Sequence, residues 1–574
     1  MRLKTVLLSG ILLFSANTLA TNYDVERSKY TKALKYFKNK DYKNFEKLKS
    51  QLINYPLYAD LEYKSLHRTK IKNDQKIIKF IEKYKTSYVS RKAYINLIYR
   101  LSSQNKYNKL IQNYENIGST DLHCLYIRAK IKSNLTKEID KEIIPIWLSS
   151  KSQPKSCDFV FKWFYKKGKL TDELVWQRIK ISLDSNNYSL GRYLVRFLSN
   201  KNKFWANSLL KTYINPKKNI ISKSYKKNNR YRNTILRYGL KRIAKKDYVK
   251  AKQYLKKSQS FYSLSDKKYF QLLQEIFTQG LKTNQKNIFN DKDMLSYENN
   301  DLYFTKALAN YAIYNSKWQR LINYIEKFPA YVSEEQKWIY WKGKAIYKLN
   351  KGNSNEVLGD LAKKRSYYGF LSASLMNKPL NIKNIPYQAS KDEIKNLGSR
   401  FEINRIYEFF ILGKKRAARR ELKYLMDNSS AINFSSLSLL FQKWGWSDGV
   451  ILSYGKSKYF DHIEARFPIL YEEYFDKYSK SNTEKSLLLG IARKESIFIQ
   501  YAKSSAGALG VMQVLPRTAY WVLKKSKMKK VSRNYLYNKN MNIYLGSYYF
   551  RYLYNKKKSY VEAIASYNAG PSIV

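Results

Sequence analysis

The chain has 574 residues, with 109 Lys and Arg against 44 Asp and Glu, a formal charge of +65, and 54 tyrosines interleaved among the basic groups. That mixture suits nucleic-acid binding, but the lysines are spread through every segment and Lys, Asn, Ile and Tyr are enriched together, as biased codon usage produces, so nucleic acid is excluded as the main partner. Three histidines, His67, His123 and His462, are scattered without HExxH or CxxC spacing, so no metal site and no cofactor are expected.

Arg2 and Lys4 precede an apolar run from Val6 to Phe14, and Thr18-Leu19-Ala20 offers small residues for cleavage. Residues 1–20 therefore read as a secretory signal peptide, too short for a membrane span. No cysteine follows this run, which argues against a lipoprotein anchor, and no later stretch is apolar for long enough to span a bilayer. The mature protein is expected to be soluble and exported, into the periplasm where the cell has an outer membrane. Its two cysteines, Cys124 and Cys157, are either joined in that oxidising compartment or left as buried thiols.

With 20 Gly, 10 Pro and long apolar runs at three- and four-residue spacing, the chain is expected to be all-α. NKDYKNFEKL at 39–48, QNKYNKLIQNY at 104–114, AKKDYVKAKQYL at 244–255 and NSKWQRLINYI at 315–325 each place a polar turn before an aromatic, then apolar residues three to four later. Such hairpins bury a face only by stacking on neighbours, which predicts a solenoid over 21–378. Pro379, Pro386 and Gly398 mark a change of character from about 379, and RIYEFFILGKKRAARREL after Asn404 reads as a short helical pair within the stretch 379–450.

The remaining domain, 451–574, carries the chemistry. Leu488, Ile491 and Glu495 fall at i, i+3 and i+7, placing the carboxylate on the buried stripe of a helix. Burial and the negative end of the helix dipole both hold its proton, as a general acid requires; the alternative is a carboxylate paired with Arg493 or Lys494. Ser504, Ser505, Gly507 and Gly510 form a loop whose backbone can approach a ligand, and Val511 to Val514 leads to Pro516 at the start of a new helix. Asn540 or Asn542 is expected to cap a helix carrying Ile543, Gly546, Tyr549 and Leu553, while VEAIASYNAGP is a last helix stopped by Gly570 and Pro571. Between Ser496 and Val561 there is no Asp or Glu, whereas a glycosidase of the usual kind needs two carboxylates across the scissile bond.

Glu495-Ser496, GALGVMQ at 507–513 and SYNAG at 566–570 resemble, in order, the three motifs of the soluble lytic murein transglycosylase family. The resemblance extends to the approach Arg466-Phe467-Pro468, to the linker and, weakly, to the solenoid. It implies a helical superhelix that closes into a ring, a helical linker and a lysozyme-like catalytic domain. It also implies cleavage of peptidoglycan glycan strands between N-acetylmuramic acid and N-acetylglucosamine, with Glu495 as acid and then base, leaving 1,6-anhydromuramic acid ends. Ser504 and Gln513 would meet the sugar or its acetamido groups, Met512 would either touch the substrate or pack, and Tyr567 and Asn568 would line the cleft. SQPKSCD around Cys157 resembles the family's N-terminal region and implies a Cys124–Cys157 disulfide. The family pattern continues beyond YNAGP, so the catalytic domain reads as truncated at Val574, and a wall-binding scaffold of impaired activity is the alternative to an enzyme.

Overall fold

A computed structural model describes residues 22–68, 73–225, 230–295, 301–350 and 353–573. The signal peptide expected at 1–20 lies outside these residues. The described residues form α-helices and short 3₁₀ turns, with β pairing confined to two isolated bridges in the glycine loop. Among them no helix is long and apolar enough to cross a membrane.

The repeated turn motif has a conformational basis. Helices begin at Tyr42, Tyr107, Tyr188 and Trp318, and two residues before each stands a residue with positive φ, Lys40, Asn105, Asn186 and Ser316. The left-handed residue ends one helix and turns the chain into the next. Asp41 and Asn187 then accept the amides of Asn44 and Leu190, capping two of these helices, and Asp247 caps the Tyr248–Tyr262 helix in the same way through the Lys250 amide. Three residues after the aromatic, Phe45, Leu110, Ala251 and Leu321 are wholly buried. Each hairpin thus offers one apolar stripe and needs neighbours to cover it.

The compact units do not follow chain order. One comprises the helices from 95 to 381, the other those up to Tyr94 together with Ile382 onward. In the 95–381 unit one continuous core runs from Cys124 to Ala345, as stacked helical pairs require. Cys124, within the Thr120–Lys132 helix, is disulfide-bonded to Cys157, the first residue of the next long helix, with Cα atoms 4.9 Å apart.

In the other unit, Tyr30, Phe45 and Tyr55 from the first helices share a core with Ile403, Leu422 and Phe441 from the linker. Glu408, wholly buried, accepts two bonds from Arg27 at 2.9 Å and one from Tyr55 at 2.6 Å. Arg405 pairs with Glu421 at 3.0 Å, and Glu421 also accepts the amide of Tyr88 at 3.1 Å. Buried charges held in this way are costly to break, about 3–5 kcal/mol each, so two ends of the sequence are fixed to one another by both core and charge.

The disulfide closes a separation of 33 residues, for which chain entropy gives about 3–4 kcal/mol. Alkylation without reductant should therefore leave the mass unchanged, and Cys157→Ser should lower the urea midpoint of the 95–381 unit. Two alkylated thiols in the untreated protein would contradict the bond.

Candidate active site

The Asn482–Ser496 helix is anchored at its start by Ser481, whose hydroxyl accepts the Glu484 amide at 3.1 Å. Glu484 in turn accepts two bonds from Arg551, at 3.1 and 2.8 Å, tying this helix to the Lys539–Lys557 helix. Leu488, Ile491 and Ala492 enter a core with Phe475, Val511 and Met512. Glu495 follows at the edge of that stripe, half-buried. Desolvation pushes its carboxyl up, with Lys494 opposing. Arg493, the other candidate partner, is engaged elsewhere: it donates to the carbonyl of Arg466 at 2.7 Å and lies 4.2 Å over the Phe467 ring.

Immediately beyond Glu495 the helix stops abruptly. Ile497 and Phe498 have φ of 48° and 62°, a conformation that costs a β-branched or aromatic residue of order 1–3 kcal/mol. The hydroxyl of Ser496 donates to the carbonyl of Val511 at 2.5 Å, fastening the last turn to the glycine loop.

That loop is held by one buried amide. Asn542, wholly buried, accepts from the Met512 amide at 2.8 Å and donates to the carbonyls of Leu509 and Leu536 at 2.9 Å. Gly510, at φ 79°, passes so close that a Cβ would stand 2.4 Å from the Asn542 Nδ2. The expected cap is thus corrected: Asn538 caps the Lys539–Lys557 helix through the Met541 amide, and Asn540 accepts from Tyr478 at 2.5 Å. Asn542 sits a turn further in, among Ile543, Leu545 and Gly546. An amide within so apolar a run is the sequence signal for such a strut.

The other predicted residues gather around this frame. Ser504 accepts the Ala508 amide at 3.0 Å and bonds back to the Ala508 carbonyl, closing the loop's turn. Gln513, at φ 49°, donates to the Gly510 carbonyl at 2.9 Å, leaving its amide oxygen to accept. Of the two readings of Met512, packing fits its place: its side chain is wholly buried and a Cβ on Gly546 would stand 2.5 Å from its sulfur. Its carbonyl has a role, accepting the Tyr567 hydroxyl at 2.9 Å. Burial first, and then the charge of Glu495, push that phenol well up, keeping it neutral. Asn568 is exposed in the last turn of the Tyr560–Ala569 helix. Beside Tyr567 lie Tyr549, with centroids 5.6 Å apart, and then Trp521 and Tyr552, an aromatic series that spacing along one helix did not reveal.

The six carboxylates from residue 472 onward now divide clearly. Glu472 and Asp476 are exposed and pair with Lys485, Glu473 is exposed, Glu484 holds Arg551, and Glu562 is exposed beside Lys557. Glu495 alone acts on Tyr567, and its neighbour Ser496 is bonded to the glycine loop.

Family models match two stretches, the Transglycosylase SLT domain over residues 473–574 and the Soluble lytic murein transglycosylase L domain over 397–463. The soluble lytic murein transglycosylase of Escherichia coli K12 is 22% identical over 99% of this chain and 89% of its own length. Over nearly its whole length the chain is thus similar to the soluble lytic murein transglycosylases. The membrane-bound lytic murein transglycosylase C of Actinobacillus pleuropneumoniae is 42% identical over 85 residues, 14% of this chain and 22% of its own. Among solved structures, the lytic transglycosylase Slt of Pseudomonas aeruginosa matches with a TM-score of 0.80 at 24% identity, covering 95% of this chain and 89% of the other. The 70 kDa soluble lytic transglycosylase of Escherichia coli gives 0.78 at 21%, covering 96% and 90%. The fold is therefore a helical superhelix with a lysozyme-like domain.

Asn542→Leu should test the loop. It would leave the Met512 amide and two carbonyls unpaired, costing about 3 kcal/mol and accelerating hydrogen exchange across 509–514. Unchanged protection there would mean that the loop holds itself.

Proposed function

We propose that this chain cleaves the glycan strands of peptidoglycan between N-acetylmuramic acid and N-acetylglucosamine without consuming water. The observation that carries the reading is the isolation of Glu495. It is the one carboxylate of the 472–573 region whose charge acts on Tyr567, and burial raises its pKa. In the first step Glu495 gives its proton to the glycosidic oxygen as the bond to the muramic C1 breaks, with the substrate's acetamido group stabilising the cationic centre. In the second, the muramic 6-hydroxyl attacks C1 and returns its proton to the carboxylate, closing a 1,6-anhydro ring. One carboxylate serves both steps because the substrate supplies the nucleophile.

Gln513, through its amide oxygen, and Ser504, through its hydroxyl proton, would meet acetamido or hydroxyl groups, and Asn568 would do so at the open end. Tyr567 stays neutral beside Glu495 and walls the cleft. In the Pseudomonas aeruginosa relative a Glu-to-Gln mutant is inactive. The undisturbed constellation around Glu495 favours cleavage over the wall-binding scaffold. Export to the periplasm, with removal of residues 1–20, is part of the same proposal, since the substrate lies there.

Glu495→Gln keeps the shape and removes the proton, so digestion of purified peptidoglycan should fall roughly 100-fold or more while sedimentation with the polymer persists. Because the carboxyl must be protonated to act first, kcat/KM should fall as pH rises through its raised pKa, and Glu495→Asp, if active, should move that limb. A variant digesting at the original rate would refute the role.

The products test the nucleophile. Fragments should end in 1,6-anhydromuramic acid, lighter by one water than hydrolysis products and inert to borohydride. Reducing ends as the main species in mass spectrometry would mean that water attacks.

A further inference from the structure

Away from the Glu495 cleft, the unit that joins the first helices to the linker encloses a cavity of about 430 Å³. Leu34, Val89 and Phe409 give it apolar walls, and Phe37, Tyr63 and Tyr88 add aromatic faces. Four cations line it. Lys64 stands 5.7 Å from the Phe37 ring, Lys92 5.1 Å from Tyr63, Lys414 4.8 Å from Tyr30 and Arg420 5.2 Å from Tyr88. Two carboxylates reach the same space, and both are committed. Asp60 accepts the Tyr30 hydroxyl at 2.9 Å, and Glu421 accepts Arg405 at 3.0 Å and the Tyr88 amide at 3.1 Å. None of the four cations makes an ion pair within 4 Å among the described residues.

Holding like charges around one void is unfavourable unless something there answers them. Rings under each cation recover part of that cost, and Asp60 attracts Lys414 from behind Tyr30, while burial and Lys64 weigh against its charge. Four cations against two engaged carboxylates leave an excess of two positive charges facing a space of ligand size. The complement is a molecule with two or more anionic groups and an aliphatic body between them. Carboxylates suit flexible lysines and one planar guanidinium, and the apolar walls suit short aliphatic side chains.

We propose that this cavity binds a short peptide bearing two or more free carboxylates. Stem peptides on the glycan strands have this chemistry. Naming them as the source rests on the proposed wall activity, whereas the preference for carboxylates does not. Bound here, a stem peptide would hold the strand at a second point while another segment occupies the cleft.

The test is calorimetric titration of the full chain with the synthetic tripeptide L-Ala-γ-D-Glu-meso-diaminopimelate, with the same peptide amidated at its carboxylates, and with inorganic phosphate. The tripeptide should bind, the amidated form should bind at least roughly tenfold more weakly, and Lys414→Met with Arg420→Met should weaken the tripeptide by roughly tenfold or more. Exposed Lys166→Met, in the other unit, should change nothing. Should the double variant fail to melt cooperatively, Arg420→Gln alone, on the exposed rim, should still weaken binding severalfold. No binding, equal affinity for the amidated peptide, or equal affinity in the folded variants would overturn the proposal. So would tight binding of phosphate without the tripeptide. Because these readouts use no turnover, failure of the glycan-cleaving assignment would show in the product assay and leave this one standing.

Discussion

Everything in the cleft depends on the fastening of a glycine loop to the end of one helix. Asn542 pairs three backbone groups that would otherwise be buried and unsatisfied, and Ser496 adds a bond from the helix's last turn to Val511. The loop's left-handed residues, Gly507, Gly510 and Gln513, are tolerated because these bonds determine its path. Tyr567 then rests on the Met512 carbonyl, so its position follows from the loop's. Glu495 is held where a helix ends in two strained residues, which prevents the carboxylate from drifting into a further turn. Polar groups that would be liabilities if unpaired become the framework once each has a partner.

Electrostatics give the site its selectivity of role. In a chain of formal charge +65, most carboxylates near the cleft are claimed by cations, as Glu472 and Asp476 are by Lys485 and Glu484 by Arg551. Glu495 escapes that fate because Arg493 donates to a backbone carbonyl and lies over Phe467. Left half-buried without an ion pair among the described residues, it has its pKa raised by desolvation. The same excess of positive charge serves attraction over distance toward an anionic polymer, independent of any single residue.

Residues separated by more than three hundred positions share the second organising feature. Arg27 and Tyr55 meet Glu408, and Tyr88 meets Glu421, inside one core. Such bonds set register: an apolar stripe alone would let a helix slide by a turn, whereas a bidentate guanidinium fixes it.

Helical class, hairpin repeats and the three motifs were legible in the sequence, because each rests on local periodicity or on turn chemistry within a few residues. Lys40 before Tyr42 and Asn105 before Tyr107 mark helix boundaries whatever the tertiary fold. The candidacy of Glu495 as the acid was readable too, since the poverty of acids from 496 to 561 is a property of the chain. What Asn542 does, why Met512 turns inward and that the first helices join the linker's core were decided by tertiary structure alone. A local pattern states which face of a helix is apolar, but not which distant backbone group will lie against it, and hydrogen bonds and close packing are settled only when that partner arrives.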